Sequence, residues 1–343
     1  MRDAIRRWTT AGGLIAMVAC SGASSSNSTA GAPRVAIVFD LGGRGDHGFN
    51  DGAAAGAERA AAGGKATLEF TEGGSGNQRV DVLRGLARGG ADLVIAVGFL
   101  SSGDATIAAR EFPKVHFAVI DYALPTDAAG KTMVPPPNLA GLSFREEEGS
   151  YVVGALAGLT TRTHAVGFVG GMPVPTILRF ESGYAAGVHK VCPSCTVIVK
   201  YAGTTPAGFR DPAAGRALAL AEYAAGADIV FHAAGETGSG VFAAAKESGH
   251  YAVGVDVDQS AAAPGRVLTS MLKRIDVAVE GVIAQQRAGT FHGGVSSLGL
   301  AEQGVGYVYD AGNAALIPAA VHMTIETLRA AVAAGLIVAP AVR

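Results

Sequence analysis

Carboxylates and phenylalanines recur at matched places in the two halves of this chain. One apolar run ends at Asp121 and a later one ends at Asp256. Phe49 and Phe180 each open a predicted helix, nine residues after an apolar run ends. Carboxylates accept hydrogen bonds from paired hydroxyls, and aromatic rings stack on flat groups. Each residue alone also fits a structural role, a core phenylalanine or a helix N-cap. The matched pairs favour binding of a flat, hydroxylated molecule.

The spacing around these residues indicates a duplication. The pattern F-x-x-G-x-x-x-G begins at Phe49 and again at Phe180, and GGADLVIAVG (89–98) is echoed by AGADIVFHAAG (225–235). The distance from the phenylalanine to the aspartate is 72 residues in the first copy and 76 in the second. Repeated landmarks at similar spacing predict two lobes of the same topology, facing each other across a cleft.

The elements that must position these residues are short apolar runs alternating with alanine-rich helical stretches. Near-continuous apolar strands of this kind predict parallel sheets covered on both faces, so the fold class is α/β with two doubly wound lobes. Ligands of such sheets bind beyond the carboxyl ends of the strands, where both aspartates lie. The predicted strands are 34–40, 91–98, 115–121, 165–171, 196–203, 227–235 and 251–258.

Composition narrows the class of function. A length of 343 residues suits two lobes that each bury a core. Charged residues make up only 16% and the net charge is -2, without a basic stripe, which argues against nucleic-acid binding. The sequence contains no convincing set of metal ligands, and we expect neither a metal nor a cofactor.

The first residues predict export. Arg2, Arg6 and Arg7 precede an apolar run at 11–19 that is too short to span a bilayer and ends before Cys20. This arrangement resembles a bacterial lipobox, so we predict a lipoprotein signal peptide over 1–20 with Cys20 as the lipidated residue. An ordinary secretory signal is the alternative. Residues 21–33 predict a flexible tether.

Cys192 and Cys195 form a C-x-x-C pair between a predicted helix and a predicted strand. In an exported protein such a pair can be a redox motif, half of a metal site or a local disulfide. The disulfide is favoured because no second ligand pair has zinc-like spacing. We expect a staple at the surface.

Several segments together resemble the basic membrane protein family of substrate-binding lipoproteins, which includes purine nucleoside receptors. The resemblance implies a type I periplasmic-binding architecture. Its lobes would be 34–142 plus 272–300 and 143–271 plus 301–343. The segments are GRGDHGFND (43–51), SFREEEGSYVVGALAG (143–158), GFVGGMPVPTILRFESGY (167–184), GADIVFHAAGETGSGVFAAAKE (226–247), GVDVDQ (254–259) and SMLKRIDVAVEG (270–281).

The resemblance also implies roles for individual residues. Phe49 and Phe180 would stack on a base, which Asp40 and Asn50 would recognise. Gly235 would bring backbone close to the ligand. The ribose would be bound by Asp121, Asp256 and Lys273. The family's loop is closer to GDKSFN, whereas this chain has His47 and Gly48 after Asp46.

The implied function is that of a substrate-binding lipoprotein of an ABC importer, not an enzyme. Its partners would be a nucleoside, an ABC permease and a membrane reached through the lipid; we expect a monomer in the cell envelope. A receptor for a flavin or another small ligand that serves sensing is the alternative. A nicotinamide enzyme is a more distant one, based on Gly43, Gly45 and Gly48 in G-x-G-x-x-G and on Glu69 further along.

Overall fold

The computed structural model describes residues 31–74, 76, 78–127 and 129–341. The predicted signal peptide, its lipidation site Cys20 and the tether as far as residue 30 lie outside the described residues. Within the described part of the chain, no helix is both long and apolar enough to cross a membrane.

Strands and helices alternate along almost the whole described chain. The strands are β1 (Arg34–Phe39), β2 (Thr67–Glu72), β3 (Leu93–Val97), β4 (His116–Ile120), β5 (Leu139–Phe144), β6 (Ala165–Gly170), β7 (Thr196–Tyr201), β8 (Ile229–Ala233), β9 (Tyr251–Asp256), β10 (Val267–Lys273), β11 (Gly294–Leu298) and β12 (Val305–Tyr307). The helices are α1 (Phe49–Ala61), α2 (Gln78–Arg88), α3 (Ser102–Glu111), α4 (Glu146–Thr160), α5 (Pro175–Val191), α6 (Pro212–Ala224), α7 (Gly238–Ser248), α8 (Ile275–Ala288) and α9 (Ala319–Ala333).

The strands form two six-stranded sheets with matching order. The N-terminal sheet runs β11-β5-β4-β3-β1-β2 and the C-terminal sheet runs β12-β10-β9-β8-β6-β7. All neighbours pair in parallel except β12, which is antiparallel to β10. The inner strands β1, β3 and β4 are almost entirely buried, as helices cover both faces. The predicted α/β class with two doubly wound sheets is confirmed.

The chain passes between the sheets three times, and we propose that each sheet with its helices is one lobe. The first two passages fall at Arg145 and Arg274, where β5 and β10 have just ended. The third is the segment 299–304 between β11 and β12. The first two passages are hydrogen bonded at the two ends of the third, since Arg145 donates its backbone N–H to the carbonyl oxygen of Leu298, directly before it, and Arg274 donates its own to that of Gly304. The first two lobe boundaries implied by the family resemblance lie two residues before the ends of β5 and β10.

Glycines of the repeated F-x-x-G-x-x-x-G pattern lie where helices touch. A Cβ at Gly56 of α1 would come within 2.1 Å of the Asp276 carbonyl oxygen at the start of α8. A Cβ at Gly187 of α5 would come within 2.0 Å of the Tyr151 carbonyl oxygen of α4. Such contacts exclude any side chain, so the pattern encodes close helix packing in both lobes.

Candidate ligand-binding cleft

One cavity lies at the carboxyl ends of the strands of both sheets. It encloses about 680 Å³ of space, part of it open to solvent. All eight residues predicted to bind the ligand line this cavity. It is lined by Asp40, Leu41, Asp46, Phe49, Asn50, Phe99, Leu100, Asp121, Thr176, Ile177, Phe180, Phe209, Ala233, Ala234, Gly235, Val255, Asp256 and Lys273.

Asp121 and Asp256 occupy equivalent places in the two sheets, after β4 and at the end of β9. Both have left-handed backbone conformations, with φ of 61° and 68°. This conformation is uncommon outside glycine and costs conformational energy, and such residues cluster at functional sites. Each side chain lines the cavity, and the surrounding sheet must hold the backbone of the residue in this uncommon conformation.

Lys273, at the end of β10, carries a positive charge in the buried part of the cavity. Its Nζ lies 2.6 Å from Asp121 Oδ2 and 3.1 Å from Glu146 Oε1, and only 3% of the residue is exposed. Burial opposes the charge, but the two carboxylates outweigh it and raise the pKa of Lys273 above its usual range. The Nζ also lies 5.2 Å from the ring centre of Phe49 and 5.5 Å from that of Phe180. The Lys273–Asp121 ion pair joins the two sheets.

Glu146 and Arg179 support this lysine, and sequence reasoning did not identify them as part of the site. The acidic run 146–148 begins the helix α4, where Glu146 is fully buried and its Oε2 accepts from Arg179 Nε at 2.6 Å. Burial opposes the charge of Arg179, and Glu146 outweighs it and raises the pKa. The only signal in the sequence was the position of the run directly after a buried strand.

Asp121 and Asp256 both retain capacity for a ligand. Asp121 Oδ1 is buried without a hydrogen-bond partner among the described residues. The carboxylate of Asp256 makes no hydrogen bond or ion pair with any described residue, and the residue is 8% exposed. Burial raises the pKa of Asp256 to about 7, and the attraction of Lys273 offsets only part of this effect. Hydroxyl donors from a ligand would satisfy both carboxylates.

Asp40 lines the cavity and lies close to Gly98, which follows the neighbouring strand β3. A Cβ at Gly98, whose φ is +94°, would lie 1.9 Å from Asp40 Oδ2, so only glycine leaves room for this carboxylate. Asp40 Oδ1 accepts from the backbone N–H of Leu41, and burial raises the pKa of Asp40 to about 6.

Asn50 lines the cavity but is occupied by the protein itself. Its Oδ1 accepts from the Asp40 N–H at 3.0 Å, and its Nδ2 donates to Asp46 Oδ2 at 3.0 Å. Asp46 in turn accepts from the backbone N–H groups of Gly48, Asn50 and Asp51 at the start of α1. In this arrangement Asn50 positions Asp40 and its loop. Its role as a direct base ligand stays a prediction.

Four phenylalanines line the cavity, two from each lobe. Phe49 is the first residue of α1, whereas Phe180 lies five residues inside α5 and does not open its helix. Phe180 is 3% exposed and packs at 6.2 Å against the Phe231 ring. Phe99 and Phe209 were missed because they lie in short 3-10 turns without helical periodicity.

Backbone groups complete the cavity wall and its rim. Gly235 has a left-handed φ of +55° and stands against the carbonyl oxygen of Phe209, so its backbone faces the cavity without a side chain. Gln259 reaches across from the C-terminal lobe and donates to the His47 carbonyl oxygen at 3.0 Å. This bond and the Lys273–Asp121 ion pair hold the two lobes together at two points.

The glycine-rich loop after β1 does not present a phosphate cradle. The N–H groups of Gly45 and His47 donate to the Asp51 carboxylate, and the N–H of Gly48 donates to Asp46. A pyrophosphate would therefore meet two carboxylates where a dinucleotide site offers free N–H groups. Glu69 is an exposed residue of β2 and is not part of the cavity wall. These contacts argue against the nicotinamide alternative.

Cys192 and Cys195 are joined in a disulfide between α5 and β7. The expectation of a surface staple is wrong, because the residues are only 9% and 4% exposed and pack into the hydrophobic core. They lie at the amino-terminal edge of the C-terminal sheet, the edge opposite the cleft.

Comparisons with known proteins agree with this geometry. The family profile for PnrA-like ABC transporter substrate-binding proteins matches residues 33–326. Basic membrane protein A of Borreliella burgdorferi is 34% identical, over 86% of this chain and 84% of that protein. An uncharacterized lipoprotein of Pyrococcus horikoshii is 35% identical, over 80% of this chain and 68% of its own length. The crystal structure of an ABC transporter solute-binding protein from Aeropyrum pernix is 30% identical, with a TM-score of 0.78 over 90% of this chain and 94% of that one.

Both the profile and the relatives extend over most of the described chain, and the solved structure shares its two-sheet architecture. The chain therefore belongs to the basic membrane protein family of PnrA-like ABC transporter substrate-binding proteins.

Proposed function

We propose that this protein is the extracytoplasmic substrate-binding lipoprotein of an ABC importer and binds a nucleoside, with a purine base, in the cleft between its lobes. The base stacks on Phe49 and Phe180. The ribose hydroxyls donate to Asp121 and Asp256, and Lys273 donates to a ribose oxygen.

One observation carries the proposal. Two strand-end carboxylates, one from each sheet, face a single cavity in which Asp121 Oδ1 has no hydrogen-bond partner among the described residues. Buried carboxylate oxygens need donors, and vicinal hydroxyls supply two donors at the spacing of one sugar. The phenylalanines around Lys273 offer apolar faces for the flat part of the same molecule.

The available interactions suffice for useful affinity. Stacking on an aromatic ring contributes about 1 to 3 kcal/mol per face. A hydrogen bond to a charged group contributes about 1.5 to 3 kcal/mol. Two of each give roughly 5 to 12 kcal/mol before the cost of ordering the ligand, and the upper part of this range corresponds to micromolar or tighter dissociation constants.

Export and partners follow from the family and from the first residues. Substrate-binding proteins of ABC importers act outside the cytoplasm and deliver the ligand to a permease. The Pyrococcus relative is named a lipoprotein, and Cys20 supplies the matching lipid attachment point. The protein would act as a monomer. Its lobes would close on the ligand, because the site needs groups from both.

Ligand identity is tested on freshly purified protein. Mass spectrometry of small molecules released by denaturation should detect a nucleoside. After refolding without ligand, calorimetric titration should show binding of inosine, guanosine or adenosine. Riboflavin is titrated in parallel to test the alternative that the protein is a receptor for a flavin. Binding of riboflavin with no heat from any nucleoside would overturn the assignment.

A further inference from the structure

His164 lies beside the disulfide, on the edge of the C-terminal sheet that is opposite the cleft. It belongs to the turn between α4 and β6, while Cys192 and Cys195 lie between α5 and β7. His164 Nδ1 is 3.6 Å from Cys192 Sγ and 3.9 Å from Cys195 Sγ. The three potential ligand atoms lie within 4.8 Å of one another.

These distances match those of a tetrahedral metal centre. Zinc binds thiolate sulfur at about 2.3 Å and imidazole nitrogen at about 2.0 to 2.1 Å, which places N and S of one tetrahedral ion about 3.5 Å apart. Both Nδ1–Sγ distances are already close to this separation. Only the two sulfur atoms would have to move apart, by side-chain rotation once they are no longer bonded.

The backbone around the three residues is held in place. His164 has a left-handed φ of 59°, and its carbonyl oxygen accepts from the Thr196 N–H at 2.9 Å. Asp228 anchors the same turn by accepting from Thr161 Oγ1 and from the Arg162 N–H, each at 2.6 Å. A ligand on an anchored turn loses little freedom when it binds a metal.

We propose that reduction of the Cys192–Cys195 disulfide creates, together with His164, a three-ligand site for a thiophilic metal ion such as Zn²⁺. Reduction by a dithiol adds two electrons and two protons to the disulfide and yields two thiols, while the reductant becomes a disulfide. Each thiol then releases its proton to solvent as its thiolate binds the metal. Water fills the fourth position.

The ligand set selects the kind of metal. Two thiolates and one imidazole suit Zn²⁺ and other borderline or soft ions, and they disfavour Mg²⁺ and Ca²⁺. The disulfide and the metal exclude each other, because the sulfur atoms cannot be bonded together and also ligate as thiolates. The amount of bound metal would therefore indicate whether Cys192 and Cys195 are reduced.

The test uses the full chain without a histidine tag and with Cys20→Ser, so that the two cysteines are its only thiols. Anaerobic protein reduced by a phosphine, which takes up one oxygen from water as the disulfide becomes two thiols, is titrated with Co²⁺. We expect one Co²⁺ per chain with a thiolate-to-cobalt charge-transfer band, and loss of that band when Zn²⁺ is added. Oxidised protein should show no such band.

His164→Ala should weaken Co²⁺ binding at least tenfold, whereas His292→Ala, at an exposed histidine outside the cluster, should leave it unchanged. Nucleoside titrations of the same samples test the assignment of the cleft independently of the metal site. If reduction unfolds the protein, Zn²⁺ should restore its circular dichroism, and should fail to do so in His164→Ala. A folded, reduced chain without the band, or equal affinity in His164→Ala, would overturn the proposal.

Discussion

Asp121 and Asp256 are equivalent in position but not in environment. Both follow or end an inner strand, both have left-handed backbone conformations and both are 8% exposed. Asp121 is paired with Lys273 at 2.6 Å, whereas Asp256 has no hydrogen bond or ion pair with a described residue. Burial raises the pKa of each, for Asp256 to about 7.

The difference arises because the cavity is lined by both strand-end carboxylates but, among the described lining residues, by only one lysine. Lys273 ends β10 and reaches across to Asp121 of the other sheet, where it also contacts Glu146. The charge of Asp121 is thus neutralised by the protein. Asp256 stays a buried carboxyl without a partner among the described residues, and hydroxyls of a ligand can donate to it. Substitutions in the two halves should therefore have different consequences.

Loss of the shared lysine should have the largest effect. Lys273→Met leaves the buried Asp121 carboxylate without its cation and Glu146 with Arg179 alone, and breaking a buried ion pair from one side costs about 3 to 5 kcal/mol. We expect a large drop in the midpoint of urea unfolding together with loss of ligand binding. Lys246→Met, at an exposed position of α7, is the matched control. A midpoint equal to that of the control would refute the electrostatic account of the asymmetry.

The two aspartates should respond by different amounts when each is replaced by asparagine, which tolerates the left-handed conformation. Burial raises the pKa of both, but Asp121→Asn also removes the charge-assisted bond to Lys273, worth about 1.5 to 3 kcal/mol, so the unliganded protein should gain less from it than from Asp256→Asn. A carboxyl whose pKa is raised by folding stabilises the folded state at low pH and loses that contribution as pH rises. For Asp256 this loss falls between about pH 4 and pH 7.

Asp256→Asn should therefore stabilise the unliganded protein relative to wild type by about 2 to 4 kcal/mol more at pH 8 than at pH 4. Urea unfolding of wild type and both variants at the two pH values measures these differences. Equal shifts of the same sign in the two variants would remove the distinction between the half-sites.

The two aromatic faces should contribute similarly to binding but differently to folding. Phe49→Ala and Phe180→Ala should each weaken a nucleoside and its free base by about 1 to 3 kcal/mol, since both ligands stack. Only Phe180, which packs on Phe231, should also lower stability noticeably. Calorimetry and thermal unfolding of both variants would show this, and a variant that loses nucleoside affinity but retains base affinity would argue against stacking.

The affinity for a nucleoside should depend on pH, because the carboxyl of Asp256 has no ion-pair partner among the described residues. Ligand hydroxyls donate to the ionised form of Asp256, whose pKa is about 7 in the unliganded protein. Nucleoside affinity should therefore fall about tenfold between pH 8 and pH 6. In Asp256→Asn this dependence should be smaller, and what remains should come from Asp40 and Asp121, because burial raises the pKa of both. A wild-type affinity that is constant over this range contradicts the ionised role of Asp256.

Much of the fold could be predicted because its inner strands are buried on both faces. The seven apolar runs became β1, β3, β4, β6, β7, β8 and β9. Of the four edge strands, β7 was predicted, whereas β2, β11 and β12 were missed; β2 and β11 are largely exposed and carry no continuous apolar run. In β10, Thr269 and Ser270 interrupt the apolar pattern, although both hydroxyls are bonded to backbone groups inside the protein.

The cavity wall could be predicted from strand ends and from the family resemblance, whereas its electrostatics could not. The contact of Lys273 with Asp121 and Glu146 joins residues more than 120 positions apart, and no local pattern encodes it. The occupation of Asn50 by its own loop and the burial of the disulfide likewise depend on packing. Sequence reasoning located the groups, and three-dimensional contacts decide which of them remain free for a ligand.

The most direct measurement is a thermodynamic cycle on the ribose hydroxyls. Calorimetry compares inosine with 2′,3′-dideoxyinosine in wild type and in Asp256→Asn. The account predicts that wild type prefers inosine by at least tenfold, because one charge-assisted hydrogen bond contributes about 1.5 to 3 kcal/mol. It also predicts that this preference shrinks several-fold in the variant. Equal binding of both ligands by wild type, or an unchanged preference in Asp256→Asn, would contradict the assignment of the cleft to a nucleoside.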